Sequence, residues 1–301
     1  MLANSTSATP EAARFRRRLM AWYREDGRHG LPWRLTRDPY AVLVSEVMLQ
    51  QTQVERVLPY YTAWLERWPT FAALAAASPA EVIREWRGLG YNRRALNLHR
   101  LALTVTRDHG GELPASPAAL RGLPGIGPYT TAAIGSFARE QRIAVADTNI
   151  ARVLARAFFG APTRREVPAR ALADRADALL PSRDVRHHNL ALMDLGALVC
   201  GSRAPRCAEC PVTRHCAWKA AGYPPGEATR TPTPRFELTA RFARGRIIDA
   251  LRTAPATAAE LAAMLPAHHA ARIGHYLEAL EKDALIAPAS DGLWALPLEP
   301  R

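Results

Sequence analysis

All four cysteines of this 301-residue sequence fall in one short window, at Cys200, Cys207, Cys210 and Cys216. Disulfide pairs would be scattered along the chain, whereas four thiols this close read as a metal site. Thiolates suit zinc or an iron–sulfur cluster, and ligand chemistry alone does not choose between them. Zinc sites more often carry paired C-x2-C units, and here only Cys207 and Cys210 form one. Two carboxylates stand apart from that window. Glu46 lies among Val44, Val47, Met48 and Leu49, a setting that disfavours a charged carboxylate and suits a general acid. Taken alone, it reads better as a water-facing glutamate near a helix start. Asp147 follows an apolar run and precedes a stripe at Ile150, Val153 and Leu154, the ordinary place of an N-cap.

The segment L-P-G-I-G-P-Y-T-T-A-A-I-G-S-F-A, residues 123–138, has a different chemistry. Gly125 and Gly127 allow the backbone angles of a tight hairpin between two helices. The amides that open the second helix, near Tyr129 and Thr130, would form an anion site suited to a DNA phosphate. Leu-Pro-Gly-Ile-Gly followed by a small-residue helix is the pattern of a helix–hairpin–helix.

The elements that must position these groups are mostly helices. F-R-R-R-L-M-A-W-Y-R-E, the run 46–68, A-E-V-I-R-E-W-R-G-L-G and R-R-A-L-N-L-H-R-L-A-L place apolar residues at three- and four-residue steps. Ser78-Pro79 marks a helix start, and Gly88 and Gly90 mark its end. Gly88, Gly90 and the polar run Asn92-Arg93-Arg94 flank Tyr91 and suggest that it stands on an exposed turn. The first ~225 residues are therefore expected to be all-α. The stretch G-Y-P-P-G-E-A-T-R-T-P-T-P-R-F lacks periodicity and reads as a linker. Three amphipathic segments and a hairpin with its turn at Asp291-Gly292 follow it, and together they resemble a small winged-helix unit.

The formal net charge is +12, from 40 Lys+Arg against 28 Asp+Glu, and lysine occurs only at Lys219 and Lys282. Guanidinium groups grip phosphates as a planar fork, so the excess suits a polyanionic partner. No stretch approaches the ~18 apolar residues of a membrane helix, and the N-terminal residues lack a secretory pattern. A cytoplasmic location at the bacterial nucleoid, no membrane contact and a monomeric state are the corresponding expectations.

With the helix–hairpin–helix placed ahead of Asp147, the sequence resembles the helix–hairpin–helix DNA glycosylase superfamily. S-E-V-M-L-Q-Q-T-Q-V, residues 45–54, closely resembles its MutY-type, adenine-specific branch, and L-P-W-R at 31–34 and G-L-G-Y at 88–91 have counterparts there. The 6-2-5 cysteine spacing resembles that of the endonuclease III and MutY-type enzymes, which implies a [4Fe–4S] cluster on Cys200, Cys207, Cys210 and Cys216. The resemblance covers roughly residues 15–225. It implies residues 1–30 with 143–222 as the cluster subdomain and 31–142 as a six-helix subdomain with the hairpin. A linker at 223–238 and a winged-helix-like unit at 239–301 would complete the chain.

The resemblance also implies roles. Glu46 would protonate the purine and later handle water, and Asp147 would assist departure of the base, with Asn149 orienting a water or a phosphate. Gln51 would insert beside the extruded site, and Tyr91 would wedge into the duplex next to the oxidised guanine. Arg34, Gly125, Gly127 and Arg203 would contact DNA. The implied substrate is double-stranded DNA carrying adenine opposite 8-oxoguanine or guanine. A mismatch thymine or uracil glycosylase and a non-catalytic DNA-binding protein are the alternatives. Many family members continue into a β-rich Nudix-like domain that helps read the oxidised guanine. Roughly seventy residues with a helical pattern follow the linker here, as in the short actinobacterial form. A plain A·G mispair would then be accepted nearly as well, or else this unit, or Tyr91 and Gln51, would supply the discrimination.

Tyr129 occupies the position at which bifunctional relatives carry a lysine that attacks the sugar. A phenol cannot form a Schiff base, so monofunctional base removal is expected. Tyr129→Lys should gain measurable strand cleavage on a substrate duplex. Products that still require heat or alkali to break would refute this.

Overall fold

The computed structural model describes residues 10–226 and 234–299. Helices dominate, as the apolar spacing requires, and their starts follow side-chain chemistry. Ser78 accepts from the Glu81 amide while the Glu81 carboxylate accepts from the Ser78 amide, a capping box that opens the helix Pro79–Glu85. The chain divides into two compact units. One comprises Met1–Val42 and Gly127–Thr229, the other Leu43–Ile126 and Arg230–Arg301. The boundaries thus lie at 42/43 and 126/127, where the sequence pointed to 30/31 and 142/143. Val42, Ala133 and Phe137 explain the offset, because all three are buried in the core of the first unit.

In the first unit, Ala12, Phe15, Leu19 and Tyr23 form the buried stripe of the helix Pro10–Asp26. They share one cluster with Ile150, Leu154, Leu190 and Leu195. A charged knot accompanies this apolar core. Asp194 is fully buried and accepts from both terminal nitrogens of Arg34, at 2.6 and 2.8 Å. It also accepts from Nε and the backbone amide of Arg28, at 2.7 and 2.9 Å. Burial by itself would raise the Asp194 carboxyl, but the hydrogen bonds and charges of Arg34 and Arg28 outweigh it and hold it below the usual aspartate range. Removing one member of such a knot strands the other charge, at about 3–5 kcal/mol. Arg186 adds a second clamp, donating to the carbonyls of Phe137, Arg34 and Thr36 at 2.9, 2.8 and 3.2 Å.

The second unit contains an indole cluster in which Trp68 and Trp86 meet Trp64 edge-on, with centroids 4.7 and 5.3 Å apart. Its C-terminal part holds the helices Ala240–Leu251, Ala258–Ala263 and Ile273–Lys282. Three short strands accompany them: β1 (Ala256–Thr257), β2 (Ala287–Pro288) and β3 (Leu293–Ala295), in the antiparallel order β1-β3-β2. The turn at Asp291-Gly292 is present, with both residues at positive φ. β1 has no sequence signal, being two residues long.

These helices do not build a core of their own. Ile247, Ile248, Leu251, Leu261, Tyr276 and Leu280 share one buried cluster with Ala80, Ile83 and Leu96. A segment this small buries too little apolar surface alone, and sharing a core supplies the rest. Residues 227–233 of the expected linker, and residues 1–9, lie outside the described residues.

Candidate active site

The sites expected at Gln51 and Tyr91 are organised by one residue, Arg94. Val47 and Met48 close the helix Pro39–Leu49, and the last carbonyls of a helix lack intrahelical partners. Arg94 Nη1 donates to the carbonyls of Val47, Met48 and Gln50, at 2.8, 3.0 and 2.6 Å. Its Nη2 donates to Thr52 Oγ1 and to the carbonyls of Leu89 and Gly90, at 3.2, 3.0 and 3.1 Å. One guanidinium therefore ties the Gln51 turn to the Tyr91 turn. Both residues are non-glycine and left-handed, at φ 58 and φ 48, a strain that persists only where the surroundings hold it. Burial lowers the Arg94 pKa to about 10, which leaves it charged at neutral pH. Arg94, although it stands in the polar run beside Tyr91, is only 9% exposed. Tyr91 itself is 38% exposed, and Gln51 is exposed as well.

Glu46 stands on the same Pro39–Leu49 helix and is buried, at 6% exposure, with Val44, Val47 and Met48 buried around it in sequence. The water-facing alternative for this glutamate is thereby set aside. The hairpin is closed by the Ile126 amide donating to the Leu123 carbonyl at 3.2 Å. Gly125 has φ +77, which disfavours any residue with a Cβ, and a Cβ there would also press on Asn97 Cβ at 3.0 Å. Gly127 caps the helix Pro128–Ala133 in extended backbone without a side-chain cap, and a Cβ there would meet nothing within 4 Å.

Asp147 caps the helix Thr148–Phe159. Its Oδ1 accepts from the Ile150 amide at 2.7 Å and its Oδ2 from Asn149 Nδ2 at 2.9 Å. Burial raises the Asp147 pKa, only partly countered by the Ile150 and Asn149 hydrogen bonds. Asn149, expected to orient a water or a phosphate, has its amide committed to Asp147 and its Oδ1 to Arg152 Nη2, at 2.9 Å. Arg152 continues the chain by donating to the carbonyls of Gly196 and Cys200, at 2.7 and 2.8 Å. Gly196 makes this approach possible, because a Cβ there would fall 2.7 Å from Asn149 Cβ. Tyr129, in the helix Pro128–Ala133, is half-buried against the first unit's core.

The four cysteines line one pocket, together with Arg156 and Trp218. All four are free thiols. Arg156 bridges the pocket wall: its Nη1 donates to Cys200 Sγ at 3.4 Å and to the Gly201 carbonyl at 2.8 Å, while its guanidinium lies 4.6 Å from the Trp218 ring centroid. Burial, with the neighbouring thiolates, pushes the Cys210 thiol up to about 11 and also raises Cys216. Thiols such as Cys210 and Cys216, whose charge is disfavoured by burial, are donors that a cationic group would stabilise. Among the described residues no three Cys, His, Asp or Glu side chains are gathered as a single metal ion requires. Arg203 and Arg214 are exposed on this loop. Arg34, expected at the DNA, is 7% exposed and committed to Asp194. Its fork meets a carboxylate of the protein where a phosphate contact was expected.

Residues 44–174 match the profile of the HhH-GPD superfamily of base excision DNA repair proteins. An adenine DNA glycosylase of Mycobacterium tuberculosis is 45% identical over 288 residues, 93% of this chain and 93% of the relative. The chain belongs to the adenine DNA glycosylase family. Another member, from Mycolicibacterium smegmatis, is 43% identical over 283 residues, 92% of this chain and 94% of that one. Among solved structures, a thermostable thymine-DNA glycosylase superposes with a TM-score of 0.65 at 31% identity, over 70% of this chain and 97% of the other. Arg94 is the residue of this adenine DNA glycosylase family member that sequence reasoning missed. A signal was present, since Arg94 stands four residues before Leu98 and seven before Leu101 on the buried stripe. Arg94→Met should cost about 2–4 kcal/mol, because several buried carbonyls lose their donor. Denaturant unfolding measures that cost, and amide exchange should speed at both the 50–52 and 89–91 turns. Faster exchange at only one turn would refute the shared tie.

Proposed function

We propose that this chain is a monofunctional DNA glycosylase that hydrolyses the N-glycosidic bond of adenine mispaired with 8-oxoguanine or guanine. The observation that carries the reading is Asp147, a carboxyl whose two oxygens are fixed by neutral donors and whose charge is disfavoured by burial. Such a group is poised to gain stabilisation from a positive charge that develops only during reaction. The sequence likeness to adenine DNA glycosylases spans 93% of the chain at 45% identity, against 70% at 31% for the thymine enzyme. That contrast supports adenine as the base.

A stacked base is out of reach, so adenine is extruded into a pocket. Buried Glu46 donates its proton to adenine N7. The N9–C1′ bond breaks, its electron pair leaves with the now neutral base, and the sugar takes on oxocarbenium character. The Asp147 carboxylate stabilises that cation or adds to C1′ transiently, as the second carboxylate does in retaining glycosidases. Water then adds at C1′, and its proton returns to Glu46. Asn149 and Arg152 hold Asp147 in place, and Tyr129 offers no amine for strand cleavage. Gln51 and Tyr91 enter the duplex beside the extruded nucleotide. The hairpin amides at Gly125 and Gly127 meet a phosphate, as does Arg203. The protein acts as a monomer on chromosomal DNA in the cytoplasm.

Duplexes carrying A opposite 8-oxoguanine, A opposite G, T opposite G and U opposite G, cleaved with alkali after incubation, test the reading. Product should come from the adenine duplexes, and product chiefly from T opposite G would sink it. Glu46→Gln and Asp147→Asn should each slow excision by about 10²–10⁴-fold. Asp147 works as its anion, so lowering the pH through its raised pKa should slow excision at a pH above the usual aspartate range. Asp147→Asn should abolish that acid limb. A limb unchanged in Asp147→Asn would assign it elsewhere.

We further propose that Cys200, Cys207, Cys210 and Cys216 hold a [4Fe–4S] cluster, on the strength of their common pocket and 6-2-5 spacing. The cluster would cross-link the loop that presents Arg203 and Arg214. Protein purified without oxygen should be brown and contain about four irons and four sulfides per chain. Cys210→Ser should lower iron content and melting temperature together. Bound zinc without sulfide would overturn the assignment.

A further inference from the structure

The turn bearing Tyr91 is joined to the C-terminal segment at three consecutive residues. Arg241 Nη1 donates to the Tyr91 hydroxyl oxygen at 2.6 Å, and its guanidinium carbon lies 4.1 Å from the ring centroid. Arg252 Nη2 donates to Asn92 Oδ1 at 2.9 Å. Arg93 Nη1 pairs with Asp283 Oδ1 at 3.3 Å. Arg241 and Arg252 stand at the two ends of the helix Ala240–Leu251, and Asp283 closes the helix Ile273–Lys282. The packing agrees with the polar contacts. Ile83 and Leu96, which flank the turn on either side in sequence, are buried in one cluster with Ile247, Ile248 and Leu251.

A tyrosine at φ 48 is strained and needs an external hold. From its own neighbourhood the ring has the Arg94 guanidinium, 5.6 Å from its centroid. Arg241 holds it more closely and is the group that binds its hydroxyl. We propose that Arg241 is a positioning residue for Tyr91, through which the C-terminal segment sets how the base opposite the excised adenine is read. The inference rests on Tyr91 being the aromatic that enters the duplex. Guanine and 8-oxoguanine differ only at N7 and C8, so a ring free to turn would stack on both alike. A ring locked at its hydroxyl presents one edge in one place, which discrimination requires.

The test uses the full chain and single-turnover excision of adenine opposite 8-oxoguanine and opposite guanine, read as the ratio of the two rates, with the melting temperature as a control on folding. Arg241→Met keeps the apolar stem and should lower the ratio by about threefold to tenfold. Arg241→Lys keeps a cation and a donor and should restore most of the loss. Tyr91→Phe removes the acceptor from the other side and should reproduce the Arg241→Met shift. In a Tyr91→Ala background, Arg241→Met should change nothing further. An unchanged ratio in Arg241→Met and Tyr91→Phe, with a lowered ratio in Tyr91→Ala, would overturn the positioning role and leave the reading of Tyr91 standing. An unchanged ratio in Tyr91→Ala would overturn that reading, and the role of Arg241 with it.

Discussion

A guanidinium buried among backbone carbonyls is the interaction on which both units depend. Helix ends and turns leave carbonyls without partners, and a buried carbonyl left unpaired costs about 1–3 kcal/mol. Arginine meets several at once, because its five donors lie in a fixed fork at the end of an apolar stem. Arg94 does this for the end of the Pro39–Leu49 helix and for the 89–90 turn. Arg186 does it for Phe137, Arg34 and Thr36, and Arg156 for Pro162, Gly201 and Ser202. Burial lowers Arg94 and Arg186 to about 10, so each stays charged at neutral pH. These clamps hold irregular backbone that neither helix nor sheet would hold.

Irregular backbone carries some of the proposed site residues, while Glu46, Tyr129 and Asn149 stand on helices. Gln51 and Tyr91 adopt left-handed angles that cost roughly 1–2 kcal/mol for a residue with a Cβ. Asp147 ends a chain of polar contacts that runs through Asn149 and Arg152 to the carbonyl of Cys200. The cysteine loop is therefore wired to the carboxylate by hydrogen bonds, so its folding also fixes the aspartate. Left-handed backbone recurs elsewhere, at Glu140, Asp184, Tyr223, Ala284 and Asp291 among others, so the strain at Gln51 and Tyr91 belongs to a wider use of irregular turns.

Much of this was legible in the sequence. Period-3.6 stripes placed the helices, Ser78-Pro79 placed a start, and the cysteine window placed the pocket. The hairpin turn at Asp291-Gly292 followed from residue type. The burial of individual arginines was not legible. Arg94 looked like part of an exposed run and Arg34 like a DNA contact, although the partners that bury them lie 44 and 160 residues away in sequence. The core shared by Ile83 and Ile248 was illegible for the same reason. Periodicity shows that a helix face is apolar and is silent on what covers it.

The burial of these arginines changes what the charge count means. Duplex DNA binds cationic proteins largely by shedding its condensed counterions, and only a cation that reaches a phosphate releases one. Arg34, Arg94, Arg156 and Arg186 are 4–9% exposed and already compensated by carbonyls or by Asp194. They contribute to the formal +12 without adding to the ionic-strength dependence of association. The electrostatic footprint presented to a polyanion is therefore narrower than the isoelectric point implies.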